Sequence, residues 1–366
     1  MRDLAFGYES GVTAEQLTMG VEEEFLLVRA DGELSRYGPE VADATTGEHG
    51  DLEAELKRCQ VEAVSGICHT PAEVLEQLTN LRGELAEVAG RRGLRLLPSG
   101  CPIVPETKPQ EITPKPRYLR MAEWFGATVR SVATCGCHVH IGISDRETGV
   151  RVSNQVRPWL PVLLTLTANS PFDGTDTGYA SWRYQEWSRW PSAGPPPLFA
   201  GLDEYESTVD GMLRCGALMD RAMIYWDIRL SEHQPTLEFR ISDVAVTARH
   251  AALLATLVRG LVAHALDTTT PPPKLPQAVL RANLWRASRE GLSGSALHPA
   301  TGELTPVQSQ LDDLVELLTP VLGADLEFVK AGIADVREHG TGAARQRTAY
   351  QRRGELKDVV DALAST

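Results

Sequence analysis

The chain lacks the features that would place it in a membrane, on nucleic acid or in a disulfide framework. Its longest apolar stretches are WLPVLLTLTA (159–168) and AALLATLVRGLVAHAL (251–266), the latter interrupted by Arg259 and His264. Neither supplies the roughly 20 apolar residues that a spanning helix needs. Six cysteines in 366 residues are ordinary for a reduced compartment and too few for a disulfide scaffold. Basic residues number 36 against 49 acidic ones, a net charge of −13. Such a surface repels phosphate backbones and argues against nucleic acid as a partner. The opening MRDLAFGYES has no apolar h-region, so a cytoplasmic location is expected. No period of 20–50 residues repeats, which excludes solenoids and propellers. G-x-x-x-x-G-K-[ST], G-x-G-x-x-G and G-x-S-x-G are all missing. A bound nucleotide would therefore be held by metals and arginines rather than by a glycine-rich loop.

What is present fits a globular protein: 42% hydrophobic and 23% charged residues, enough to fill a core. The clearest helix pattern runs over 70–93, with Thr70 and Glu73 as a capping box around Pro71, and Val74, Leu78, Leu81, Leu85 and Val88 on one stripe. Amphipathic patterns over 203–221, 247–267, 306–321 and 324–338 predict further helices, with Thr247 and Thr305 as N-caps. Alternation predicts strands over 20–28, 58–65, 136–144, 223–231 and 236–243, the last two closed into a hairpin by 232–235. The stretches 101–117 and 268–277 are proline-rich and read as loops. So does 171–201, which carries seven aromatic residues. A long loop so loaded is expected to be a lid, a substrate wall or a dimer contact rather than disordered. Strands and helices do not alternate as βαβ units. The reading is a single α+β domain over 1–366 with a mainly antiparallel sheet, ending in a tail over 340–366.

Residues i and i+2 of a strand share a face. That pairs Glu22 with Glu24, Gln60 with Glu62, His138 with His140, and Glu238 with Arg240. A solvent-exposed sheet face would also be polar, but it favours Thr, Lys and mixed charges. Adjacent carboxylates repel unless a cation lies between them, and carboxylates with a supplementary imidazole suit Mg²⁺ or Mn²⁺. The hairpin sets Arg229 opposite Glu238 and Asp227 opposite Arg240, as cross-strand ion pairs or as support for a charged site. CGCHVH (135–140) invites a zinc reading. Structural zinc ligands, however, are spaced by turns, as in C-x₂₋₄-C and H-x₃₋₅-H. Cys135 and Cys137 are assigned to the histidine face as small packing residues.

The ordered motifs GVEEEF (20–25), QVEA (60–63), CGCHVHIGI (135–143), GYASWRYQEWSRWPSAGPPPLF (178–199), WDIRL (226–230) and TLEFRISD (236–243) resemble the glutamate–cysteine ligase type 2 family of YbdK-like carboxylate–amine ligases. The resemblance extends to GTGAARQR (340–347). It implies a glutamine-synthetase-like fold, a curved antiparallel sheet forming a cup with helices packed outside. It also implies ATP-dependent amide formation through an acyl phosphate, with glutamate and cysteine as default substrates. On this resemblance Glu22, Glu24, Glu62, His138 and Glu238 are the metal ligands. Arg240 contacts phosphate and Arg183 grips the acceptor carboxylate. His140, Tyr179, Trp182 and Arg229 complete the candidate ATP- and substrate-binding set. ATP, Mg²⁺ or Mn²⁺, and small carboxylate and amine substrates are expected, in a homodimer. Two other classes stay open, a metal-dependent amide or phosphoester hydrolase and a non-catalytic nucleotide- or metabolite-binding protein.

Overall fold

The structure is a computed structural model that describes residues 13–47, 50–106, 109–131 and 133–364. The opening MRDLAFGYES and the last two residues of the tail lie outside them. Alternating residues make Met19–Val28 (β1) the central strand of a seven-stranded sheet. Its other members are Gly50–Ala54 (β2), Gln60–Ser65 (β3), Arg95–Leu97 (β4), Gly136–Gly142 (β5), Ile228–Leu230 (β6) and Thr236–Asp243 (β7). The order is β2-β3-β1-β5-β7-β6, with β4 pairing the end of β1. All ladders in it are antiparallel. The expected α+β cup is thus present, with β2 and β4 added. A register shift between Cys137 and Val139 bends β5 against β7, as a bulge does.

One face of β1 turns to the helices: Val21, Glu23 and Phe25 are fully buried there. Pro71–Gly90 (α1) and Ala248–Asp267 (α4, counting the two site helices Pro116–Phe125, α2, and Trp182–Trp187, α3) pack on it. Thr70 Oγ1 accepts from the Glu73 N–H at 3.2 Å, and the Glu73 carboxylate reaches the His69 N–H at 2.7 Å. α1 stops at Gly90, short of the expected end, in a turn closed by Gly93 at φ +68°. The helix expected over 203–221 ends at Arg214, because Gly216 turns left-handed at φ +76°. Thr247 caps α4 as expected. Thr305 does not cap its helix: it lies in a short strand, Leu304–Pro306, and Pro306 precedes the first turn of Val307–Leu322. β6 is only three residues, well short of 223–231. The tail forms two helices, Gly342–Gln351 and Leu356–Leu363. Gln346 Nε2 donates to the Asn169 carbonyl at 2.9 Å and so ties the first of them to the core.

Glu23 is a charge buried on the helix face. Arg82 of α1 meets it with two bonds, Nε to Oε2 at 2.8 Å and Nη2 to Oε1 at 2.6 Å. Its remaining N–H groups reach the carbonyls of Ala245 and Val246, and the guanidinium lies 5.0 Å from the centre of the Phe25 ring. Arg82→Met removes the partner but leaves the carboxylate. It should cost about 3–5 kcal/mol in denaturant unfolding, and Arg82→Met with Glu23→Gln should recover much of that loss. A single variant within 1 kcal/mol of the parent (about the scatter of surface substitutions) would contradict this account.

Candidate active site

On the opposite, concave face the register sets the polar residues side by side. Glu22 stands opposite His138 and Glu24 opposite Glu62. His140 stands opposite Glu238, which faces Arg229 on its other side. His138 Nδ1 lies 3.0 Å from Glu22 Oε2, and His140 Nε2 lies 3.1 Å from Glu22 Oε1. His140 Nδ1 is 2.9 Å from Thr236 Oγ1. Glu24 Oε2 accepts the Gly136 N–H at 2.6 Å.

Three overlapping donor sets result: Glu22 with His140 and Glu238, Glu22 with Glu62 and His138, and Glu24 with Glu55 and Glu62. In each, the donor atoms lie within 4.8 Å of one another. Oxygen-rich sets with one imidazole suit Mg²⁺ or Mn²⁺. The Nε2 of His138 is buried without a partner. No cysteine enters these sets among the described residues. The assignment of Cys137 to the histidine face is corrected. Cys137 stands opposite Glu23, on the helix side, because residues one and three positions apart on a strand point to opposite faces. Cys135 Sγ accepts from Gln60 Nε2 at 3.7 Å.

Electrostatics divide the row. Burial and then the neighbouring Glu55 push Glu24 up to about 7. Burial, then Glu55, Glu22 and Glu24, push Glu62 well above the carboxylate range, and burial raises Glu55. Burial acts the same way on Glu22, but hydrogen bonds from His138 and His140 outweigh it and hold the group low. At Glu238 burial is outweighed by Arg229 and Arg240. Burial and the Arg240 charge depress His138 to about 4.

Without a cation, Glu24 therefore binds its proton more tightly folded than unfolded. The stability this contributes is complete below its ordinary value of 4.5 and is lost as pH rises through about 7. A cation bound there would have to displace that proton. Because Glu62 and Glu55 are raised as well, Mn²⁺ affinity should rise about tenfold or more per pH unit between 5.5 and 7. Calorimetry in buffers of different ionisation enthalpy measures both. Affinity independent of pH between 5.5 and 7 would contradict the assignment.

The row opens into a cavity of about 1000 Å³, mouth included. Glu22, Glu24, Glu55, Glu62, His138 and Arg240 line its acidic end; Tyr118 and Met121 of α2 and Trp187, Trp190 and Tyr225 form the wall. The segment 171–201 contributes Trp187 and Trp190 to that wall and holds α3. Phe172, Trp190 and Phe199 within it are buried. Arg229 spends four hydrogen bonds on fixed partners: Nε and Nη2 to Glu238 at 2.8 and 3.0 Å, and Nη1 to the carbonyls of Ala222 and Ile224. Arg240 bonds Glu238 through Nη1, while its Nε is buried without a partner.

Five expected site residues lie outside the lining: His140 and Glu238, which form a donor set with Glu22 beside it, and Arg183, Tyr179 and Trp182. Arg183 is buried against Gly136, where a Cβ would come within 2.3 Å of its Nη2; it sits 5.8 Å from the Trp187 ring centre. From there its charge acts on Glu24 and Asp227. Tyr179 and Trp182 pack on each other, 5.2 Å between ring centres, and the Tyr179 hydroxyl accepts from Trp285. The expected Asp227–Arg240 ion pair is also absent. The register is right, since the Arg240 N–H donates to the Asp227 carbonyl at 2.8 Å. The Asp227 carboxylate, however, accepts from the Tyr184 hydroxyl at 3.2 Å. Glu55 and Lys57, which also line the cavity, are residues that sequence reasoning missed. The alternation of Leu52, Ala54 and Leu56 with Glu53 and Glu55 was the available signal.

The fold recurs in solved structures. A bifunctional glutathione synthetase from Pasteurella multocida matches with a TM-score of 0.72 at 15% identity, over 96% of this chain and 52% of that one. The chain thus spans about half that protein's length. A glutamate–cysteine ligase from Francisella tularensis in complex with AMP matches with a TM-score of 0.68 at 12% identity, over 97% of this chain and 88% of the other. With the family match, this fold and its acidic, arginine-flanked cup define an ATP-dependent ligase. The model of glutamate–cysteine ligase family 2 matches residues 18–362, and the chain belongs to that family. A Rhodococcus jostii protein named "Putative glutamate--cysteine ligase 2-1" is 52% identical over 97% of both chains. One from Mycobacterium sp. (strain KMS), "Putative glutamate--cysteine ligase 2-2", is 44% identical over 95% of this chain and 97% of its own. No helix among the described residues is long and apolar enough to cross a membrane.

Proposed function

We propose that the protein joins a carboxylate, by default the γ-carboxylate of glutamate, to an amine, by default that of cysteine, through an acyl phosphate formed from ATP. The observation that carries this reading is the convergence of two carboxylate-rich donor sets with Arg240 on one cavity, a third set sharing Glu22 with one of them. AMP in the Francisella ligase supports an adenine nucleotide as co-substrate. Mg²⁺ or Mn²⁺ held by Glu22, Glu24, Glu62, His138 and Glu238, with Glu55 and His140, would draw charge off the phosphates and the reacting carboxylate.

The chain's own residues do the rest. The substrate carboxylate attacks the γ-phosphorus and ADP departs. Arg240 takes up charge on the transferring oxygens through its unpartnered edge. Arg229 keeps Glu238 in place, and the Arg183 charge lowers Glu24. The amine nitrogen then attacks the acyl carbon and inorganic phosphate departs. The proton the amine must lose goes to the departing phosphate. Trp187, Trp190 and Tyr225 shield the activated acid from water. Because the chemistry is positioning and charge stabilisation, no protein nucleophile is required.

The test is ADP release with Mg²⁺ or Mn²⁺ across a panel of amino acids and amines. Release that depends on both an acid and an amine is expected. If no pair exceeds ATP hydrolysis alone, the reading fails.

A further inference from the structure

An amino-acid donor has two ends. Its reacting carboxylate belongs beside Arg240, so its α-amino-acid head must lie elsewhere in the cavity. Lys57, on the loop between β2 and β3, lines that cavity yet is only 3% exposed. Its Nζ is buried without a hydrogen-bond partner, an arrangement that is costly unless a ligand completes it. The backbone holds it there: the Gln60 N–H donates to the Lys57 carbonyl at 2.9 Å, and Lys57 bridges to Ile112. The carboxylates whose charge reaches the ammonium are Glu106 and Glu186, and neither bonds it. Glu186 also lines the cavity; its Oε2 accepts from Arg189 at 2.7 Å.

We propose that Lys57 and Glu186 form the subsite for the zwitterionic head of the carboxylate donor, Lys57 taking its free α-carboxylate and Glu186 its α-ammonium. The inference rests on the ligase reading and narrows the donor to an α-amino dicarboxylate. A simple carboxylic acid would leave both groups unanswered. The attacking amine is a poor occupant, because it must shed its proton, whereas a carboxylate partner favours a nitrogen that keeps it.

The test is equilibrium binding of glutamate, glutarate and 4-aminobutyrate to the full chain with Mn²⁺ and a non-hydrolysable ATP analogue. Glutarate lacks the ammonium and 4-aminobutyrate lacks the α-carboxylate. Lys57→Met should weaken glutamate and glutarate about 10- to 100-fold and spare 4-aminobutyrate. Glu186→Gln should weaken glutamate and 4-aminobutyrate and spare glutarate. Lys57→Met should also melt at or above the parent temperature, since it removes a buried unpaired charge. A parent protein that binds none of the three, or variants that weaken all three alike, overturns the subsite. Binding needs no turnover, so it is separable from the ligase reading, which fails by the ADP assay alone.

Discussion

Glu62→Gln is expected to lower the rate of ADP release by about a thousandfold at saturating substrates, the order lost when a preorganised charge is removed from a transition state. Glu62 belongs to two of the three donor sets and stands directly opposite Glu24. Glutamine keeps its shape and one oxygen but loses the charge. In the cation-free protein that loss should relieve strain, because Glu55, Glu22 and Glu24 all oppose ionisation of Glu62. The variant should therefore melt no lower than the parent without metal. With Mn²⁺ the parent should rise in melting temperature and the variant should rise less. Activity within tenfold of the parent, or an equal Mn²⁺ shift, would sink the role given to Glu62. Inactivity together with a lower melting point in metal-free buffer would point to misfolding.

The acidic row was legible because a strand's period is two. Glu22, Glu24, Glu62, His138, His140 and Glu238 needed only correct strand assignments, and the register then placed them opposite one another. The Arg229–Glu238 pair followed from the turn length in the same way. Side chains set by packing between distant segments were not legible. Arg183 lies on α3, and its direction depends on how that helix meets Gly136, which no local pattern encodes. The Asp227 carboxylate is claimed by Tyr184 from the same helix. Glu55 and Lys57 were missed together, because they sit on the loop that follows β2, a strand whose recognition was needed to aim that loop at the cavity. Thr305 has an N-cap residue's chemistry in front of a proline. Pairing of Ala296 with Thr305 took it into a strand instead, where its Oγ1 accepts from Gln310 at 3.0 Å.

The two arginines beside Glu238 should separate in their effects, although the sequence gives them similar prospects. Arg229 is committed to Glu238 and to two carbonyls, so it has little left for a ligand. Both line the cavity, but Arg240 lies 5.8 Å from the Tyr225 ring centre and keeps an unpartnered Nε. Arg240→Ala should therefore lower kcat about a thousandfold with a modest change in KM, as removal of a charge used in the transition state does. Arg240→Lys should recover only part of it, because a point charge does not reproduce the planar fork. Arg229→Lys should instead loosen Glu238 and lower stability by about 1–3 kcal/mol, through the hydrogen bonds it forfeits, with a smaller fall in kcat. Steady-state kinetics and urea unfolding of the three variants decide the matter. If Arg229→Lys loses as much kcat as Arg240→Lys at full stability, the charge that meets the transferring phosphoryl group belongs to Arg229. Arg240 would then be the strut that holds Glu238.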